Sequence, residues 1–291
     1  MADSYNRCGK IAKPDDGFGM VLRVLKARTA TIFVLDCHLH GPADDGSVFQ
    51  WTPMLRNYRD YLDFLHISGI QGGIQNSISA VRAKTASQLA AGNRCALKLA
   101  RPAVSRPLQI MPACIVHPSF LAQARRDLKT FRKAGSCWVG EVCPYLSGWT
   151  AAHPSFKTML RLLESENVVL QIHHQTDAIH RMIAETAPHL TLVISHLGGK
   201  TEIEELLALA AENSNIILDI CGSGYERLGM LEKGVAMGLE DRILYGSDFP
   251  INDPGAVRTR ILNGWFTPAV KRKILGKNLQ RLLATKGIHF W

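Results

Sequence analysis

The sequence predicts an α/β fold: a single (β/α)8 TIM barrel over residues 31–291, preceded by a short N-terminal extension over residues 1–30. Three observations carry this. Eight short apolar runs of strand character alternate with helical patterns, one every roughly 25–40 residues, which is the rhythm of repeated βα units. The runs are apolar throughout rather than alternating, as parallel strands covered on both faces are. The first run ends in Asp36-Cys37-His38-Leu39-His40, where a doubly wound open sheet would place a Gly-rich phosphate loop.

Taken in order, the extension holds a turn at Pro14-Asp15-Asp16-Gly17 and a short helix over 20–26, with no assignable function. The first strand is 32–40, followed by a loop over 41–46 rich in Gly, Pro and Asp. Tyr58, Tyr61, Leu62 and Leu65 form an apolar stripe at helical spacing, so 58–67 is a helix leading into a second strand over 68–75. After a longer helical region come a third strand (108–116), a helix (120–134) and a fourth strand (137–142). A helix over 155–166 with Phe156, Met159, Leu160 and Leu163 on one side precedes the fifth strand, 168–173. Helix 178–187 and strand 190–196 follow. Thr201 with Glu204 three residues on has the pattern of a capping box opening the next helix. Strand seven is 215–220, helix 228–237 comes next, strand eight is 242–248, and basic amphipathic helices close the chain.

Composition limits the function classes. At 291 residues and 46% hydrophobic, the chain can fill one barrel of about 250 residues. Mean hydropathy is near zero, and no apolar run approaches the roughly 20 residues of a membrane helix, so no membrane partner is expected. The residues after Met1 lack an apolar signal region, and the seven cysteines are scattered with no CxxC pair; both point to a reducing cytoplasm. Net charge is +9. Residues 82–133 carry eleven Lys and Arg against Asp127 alone. These cations are interspersed with apolar residues at helical spacing and lack the interleaved aromatics of a base-stacking surface, so nucleic-acid binding or cleavage is the weakest functional reading.

Barrel enzymes build their sites at the C-terminal ends of the strands. Five of the eight predicted strands end in a residue that can ligate a metal: His38 and His40 on strand one, Glu141 on four, His173 on five, His196 on six and Asp248 on eight. Alternate residues of a strand share a face, so His38 and His40 can hold one divalent ion together. Imidazole and carboxylate donors suit Zn²⁺ first, with Mn²⁺ and Fe²⁺ as alternatives.

These stretches, together with Ser195-His196-Leu197-Gly198-Gly199, Gly246-Ser247-Asp248-Phe249-Pro250 and Ile274-Leu275-Gly276-Lys277-Asn278, resemble the amidohydrolase superfamily, in its amidohydrolase-2 branch of hydrolases and decarboxylases. The resemblance runs from about Ile32 to the C-terminus. It implies one or two divalent metals per chain. His38, His40 and Asp248 would ligate the more buried ion and His173 and His196 a second, with Glu141 as bridging carboxylate. Asp248 would be the proton acceptor and donor; in one-metal members His196 would contact the reacting group instead. The implied activity is hydrolysis of a small anionic lactone, amide or ester. The alternative is nonoxidative decarboxylation at one metal. A homodimer is implied by family habit.

Other residues have weaker claims. Arg227, after the Gly-rich turn of strand seven, is the expected clamp for a substrate carboxylate, with Arg82 and Lys84 behind it. Tyr145 and Trp149 are expected to wall the pocket, and His117 to contact substrate. Asp219 and Cys221, at the end of strand seven, are weak candidates, with Asp219 expected to make structural hydrogen bonds; His174 is expected to point away from the site, and Cys143 has the parity of Glu141 but is expected to act as a small buried residue.

Overall fold

The computed structural model describes residues 32–43, 52, 54–101 and 108–289. The turn at 14–17 and the helix at 20–26 lie outside the described residues. The unit from Phe33 onward carries every element named below.

All eight strands form where the apolar runs fall: β1 Leu35–Gly41, β2 Gly72–Ser77, β3 Gln109–Pro112, β4 Trp138–Val142, β5 Val169–His173, β6 Thr191–Ser195, β7 Ile216–Asp219 and β8 Ile243–Leu244. They pair in parallel as β1-β2-β3 and β4-β5-β6-β7-β8. Two further contacts close the barrel. Between β3 and β4, Cys114 bridges Val139, with Cys114 N–H donating to the Trp138 carbonyl at 2.9 Å. Between β8 and β1, Leu39 bridges Phe249, and Cys37 N–H donates to the Tyr245 carbonyl at 3.0 Å. With these bridges the two sheets join into one ring.

Below the site, side chains on the same inward faces of the strands as His173 and Ser195 fill the base of the barrel, and the C-terminal helix covers them. Leu35, Cys37, Ile74, Met111, Val169, Val193 and Leu244 share one buried cluster with Leu279, Leu282 and Leu283 of the C-terminal helix Asn278–Thr285. Burying a Leu or Val side chain stabilises by about 1.5–3 kcal/mol, so this seam is a main source of stability. Helix Tyr58–Ile67 buries Tyr58, Tyr61, Leu62 and Leu65, the stripe its sequence predicts, and Asn57 caps it by accepting from Asp60 N–H at 3.0 Å.

Two local expectations are corrected. The helix before β7 is Lys200–Glu212, with Gly199 as its cap and the Glu202 carboxylate accepting from Gly199 N–H; Thr201 and Glu204 already lie inside the helix. Regular β8 pairing covers only Ile243–Leu244 rather than 242–248: Tyr245 N–H donates instead to the Ile274 carbonyl at 3.0 Å, and the chain turns at Asp248, whose φ is +63°.

Candidate metal centre

β1 and β4 each carry one extra residue relative to their neighbours. The β1–β2 register slips between Asp36 and Leu39, and the β4–β5 register between Val139 and Val142. A bulge re-aims the side chains beside it. Here the two bulges bring His38, His40 and Glu141 into the mouth of the barrel. The second bulge requires Gly140. Its φ is +133°, and a Cβ there would lie 2.2 Å from the Gln171 carbonyl oxygen.

The inward side chains meet in one buried cluster. His38 Nε2 and His40 Nε2 are 3.1 Å apart. Glu141 Oε2 is 3.3 Å from His38 Nε2 and 3.6 Å from His40 Nε2. Asp248 Oδ1 is 3.5 Å from His38 Nε2 and 3.1 Å from His40 Nε2. Donors bound about 2.0–2.1 Å from one tetrahedral ion sit roughly 3.3–3.4 Å from each other, so these separations fit the edges of such a tetrahedron. The other oxygen of Glu141 faces a second group: Oε1 is 2.9 Å from His173 Nδ1 and 3.0 Å from His196 Nε2. One carboxylate therefore joins two donor sets, His38-His40-Asp248 and Glu141-His173-His196, each drawn within 4.8 Å.

The hydrogen bonds behind the cluster decide which nitrogens face inward. Asp219 Oδ2 lies 2.7 Å from His38 Nδ1, and Asn76 Oδ1 lies 3.0 Å from His40 Nδ1. Both oxygens accept, so both Nδ1 atoms carry the proton and both Nε2 lone pairs point to the centre. Two lone pairs 3.1 Å apart repel unless a cation lies between them. The electrostatics of the cluster point the same way. Burial opposes a charged His40, yet Asp248 and Glu141 overcome it and raise its pKa to about 9. Burial likewise opposes charge on His38, and Glu141 and Asp219 lift it well above the usual range. Burial alone would raise Glu141, but His38, His173 and His196 hold its carboxyl well below that of an ordinary glutamate. The pocket draws positive charge, and its donor set fits a divalent ion.

His196 and Asp248 both adopt left-handed backbone, with φ of +68° and +63°. For non-glycine residues this costs on the order of 1–2 kcal/mol each, and such strain concentrates where a side chain must be aimed. Gly222 makes room for His196: a Cβ there would lie 1.8 Å from His196 Nδ1.

A cavity of about 370 Å³ opens onto the cluster and is lined by His40, Glu141, His173, His196 and Asp248. Ile78, Leu146 and Ile251 form its apolar walls, and Arg82 and Tyr145 stand at its polar side.

A family model described as Amidohydrolase matches residues 35–284. The chain belongs to the amidohydrolase family. Among solved structures, it is similar to 2,6-dihydroxybenzoate decarboxylase from Rhizobium, at 13% identity and a TM-score of 0.67, covering 88% of this chain and 99% of that one. A dihydroxybenzoic acid decarboxylase from Polaromonas sp. JS666, solved with manganese and 2-nitroresorcinol, aligns at 14% identity and a TM-score of 0.65, covering 87% and 97%. An amidohydrolase from Burkholderia multivorans with bound zinc aligns at 14% identity and a TM-score of 0.58, covering 87% and 99%. At these identities the likeness shows the TIM-barrel fold. No curated protein sequence matches the chain.

Of the residues the sequence singles out, the structure brings together His38, His40, Glu141, His173, His196 and Asp248, with Tyr145 at the cavity wall. Three do not line the cavity. Arg227 is exposed on the turn after β7, and Arg82 is the cation on the cavity wall among the described residues. Trp149 is buried against Phe156, and His117 stacks on Phe120 with ring centroids 4.7 Å apart. The two backing residues have different histories. Asp219 makes the hydrogen bonds expected of it, but one falls on His38. Asn76 escapes sequence reasoning, although the polar Gln75-Asn76-Ser77 at the C-terminal end of an apolar strand is a signal of it.

Proposed function

We propose that this chain is a metal-dependent hydrolase of small anionic substrates, acting at a two-ion centre at the mouth of the barrel. The single observation that carries the reading is Glu141, whose two oxygens face two separate donor sets at 2.9–3.6 Å. His38, His40 and Asp248 would hold the buried ion, His173 and His196 the outer one, and Glu141 both. Zn²⁺ is the first choice for this donor set and Mn²⁺ the second. When bound, divalent ions supply Lewis-acid polarisation of a substrate oxygen and a nucleophile at neutral pH.

The chain's own groups do the rest. Asp248 reaches into the cavity, with Oδ1 3.1 Å from His40 Nε2 and Asn252 Nδ2 donating to Oδ2 at 3.3 Å. A carboxylate held there takes a proton from the attacking water and returns it to the leaving group. Arg82 on the cavity wall supplies a planar cation for a substrate carboxylate, in the role the sequence assigned to Arg227. Ile78, Leu146 and Ile251 enclose the substrate's apolar part and limit water.

Nonoxidative decarboxylation is the competing reading, and the names of the Rhizobium and Polaromonas structures favour it. The test is a panel of carboxylated lactones, esters and amides beside hydroxybenzoates, with product analysis. Ring opening or acid release that disappears in Asp248→Asn supports hydrolysis. CO₂ release from a hydroxybenzoate with no hydrolytic turnover transfers the assignment to decarboxylation.

A further inference from the structure

β7 places no side chain on the cavity wall, yet its C-terminal end holds the most connected polar group behind the centre. Asp219 is fully buried. Its Oδ2 accepts from His38 Nδ1 at 2.7 Å, Gln171 Nε2 at 2.9 Å and Ser195 Oγ at 3.2 Å, and its Oδ1 accepts from Cys221 N–H at 3.0 Å. The carboxylate thus ties β1, β5, β6 and β7 together and fixes the His38 ring. The outer donor set lacks such backing. His173 is 27% exposed and uses Nδ1 on Glu141; among the described residues no side chain hydrogen-bonds its other ring nitrogen. Among the described residues, only the Cys221 thiol stands behind His196 Nδ1, at 3.4 Å, and it lies nearer to His38 Nδ1, at 2.9 Å.

We infer that Asp219 is a positioning residue that makes the two ion sites unequal: it pre-orients His38 so that the buried site binds tightly, while the outer site remains the weak, exchangeable one. The inference rests on the two-ion reading above. A carboxylate behind a ligating histidine fixes its tautomer and strengthens it as a donor, and losing such a partner typically weakens metal affinity 10–100-fold. An unbacked, partly exposed histidine must be ordered by the ion itself, which weakens binding.

The test is Zn²⁺ titration of the chelator-stripped chain in competition with a chromophoric chelator, with folding checked by circular dichroism. The wild type is expected to show two affinity classes. Asp219→Asn should weaken the tight class 10–100-fold and leave the weak class within about threefold. Ser195→Ala, which removes one supporting donor and keeps the carboxylate, should weaken the tight class by a smaller factor. It serves as the second variant if Asp219→Asn does not fold. Long-range ¹H–¹⁵N correlation of the His38 ring should show Nδ1–H in the wild type and a mixed tautomer in Asp219→Asn, a change that general loosening of the fold would not confine to one ring. Two classes that shift together, or neither shifting in both variants, overturn the inference and leave the two-ion reading standing. A wild type that binds one Zn²⁺ or none overturns both.

Discussion

Replacing Gly222 by alanine isolates how the fold aims His196. The added Cβ would lie 1.8 Å from His196 Nδ1, 2.6 Å from Cε1 and 3.0 Å from Cγ. Ordinary carbon contacts begin near 3.5 Å, so the ring must withdraw by roughly 1.7 Å. His196 Nε2 is 3.0 Å from Glu141 Oε1, and that contact is lost on such a shift. Displacements of about 1 Å at a reacting centre cost on the order of 100-fold in rate. The φ of +67° at Gly222 adds a backbone cost of about 1–2 kcal/mol for alanine. Gly229→Ala separates the two effects. Gly229 has a φ of +87° and nothing within 4 Å of its virtual Cβ, so alanine there carries the backbone cost without the clash. Thermal unfolding, bound metal and turnover should be measured on both variants. Gly229→Ala should lose about 1–2 kcal/mol of stability and Gly222→Ala at least as much, but only Gly222→Ala should lose the outer ion and at least 100-fold in activity. Wild-type metal content and turnover in Gly222→Ala would refute the argument that this glycine sets the His196 position.

Three further outcomes are expected. Arg82→Met should raise KM for carboxylated substrates about 10–100-fold with a smaller effect on kcat, because the cation binds a part of the substrate that does not react; steady-state kinetics on matched charged and neutral substrates check it. Asn278→Ala should destabilise by about 2–4 kcal/mol in denaturant titration, since Asn278 Nδ2 donates to the carbonyls of Glu240 at 2.7 Å and Ile243 at 2.8 Å, and both would be left without this donor. His180 gives a pH dependence away from the metal centre. Burial, with His174 nearby, pushes its pKa down to about 3 from the ordinary 6.5. The unfolded chain therefore takes up the proton first as pH falls, and stability present above pH 6.5 is lost between 6.5 and 3. The loss by pH 4 is about 3 kcal/mol, and His180→Gln, which keeps an acceptor for Gln175 N–H, should flatten that part of the curve in chelator-treated protein.

The barrel was legible because parallel strands buried on both faces must be continuous apolar runs, and all eight runs form strands. The inward histidines were legible for a related reason. A polar, ionisable residue ending an apolar strand has few structural explanations, and five such ends converge. What the sequence could not rank was the loops. Arg82 and Arg227 both follow a strand at the same end of the barrel, and only the path of each connection decides which cation reaches the cavity. Trp149 and His117 sit in loops of the expected kind but are drawn into an aromatic cluster with Phe120 and Phe156, where burial of ring surface outweighs exposure at the mouth. The capping shift from Thr201 to Gly199 has the same character. Glu202 and Glu204 both offer a carboxylate near the helix start, and the backbone at Gly199 selects the first. The bulges in β1 and β4 left no recognisable mark beyond Gly140, so the joint facing of His38, His40 and Glu141 followed from strand alternation only in part.

The account depends on Glu141 serving two ions, and counting ions per chain tests that most directly. Elemental analysis of the chain at dialysis equilibrium with Zn²⁺, corrected for the free metal, should give two ions per chain, falling toward one in Glu141→Gln, whose amide cannot bridge two cations as a carboxylate does. A stable count of one in the wild type, unchanged by Glu141→Gln, would contradict it.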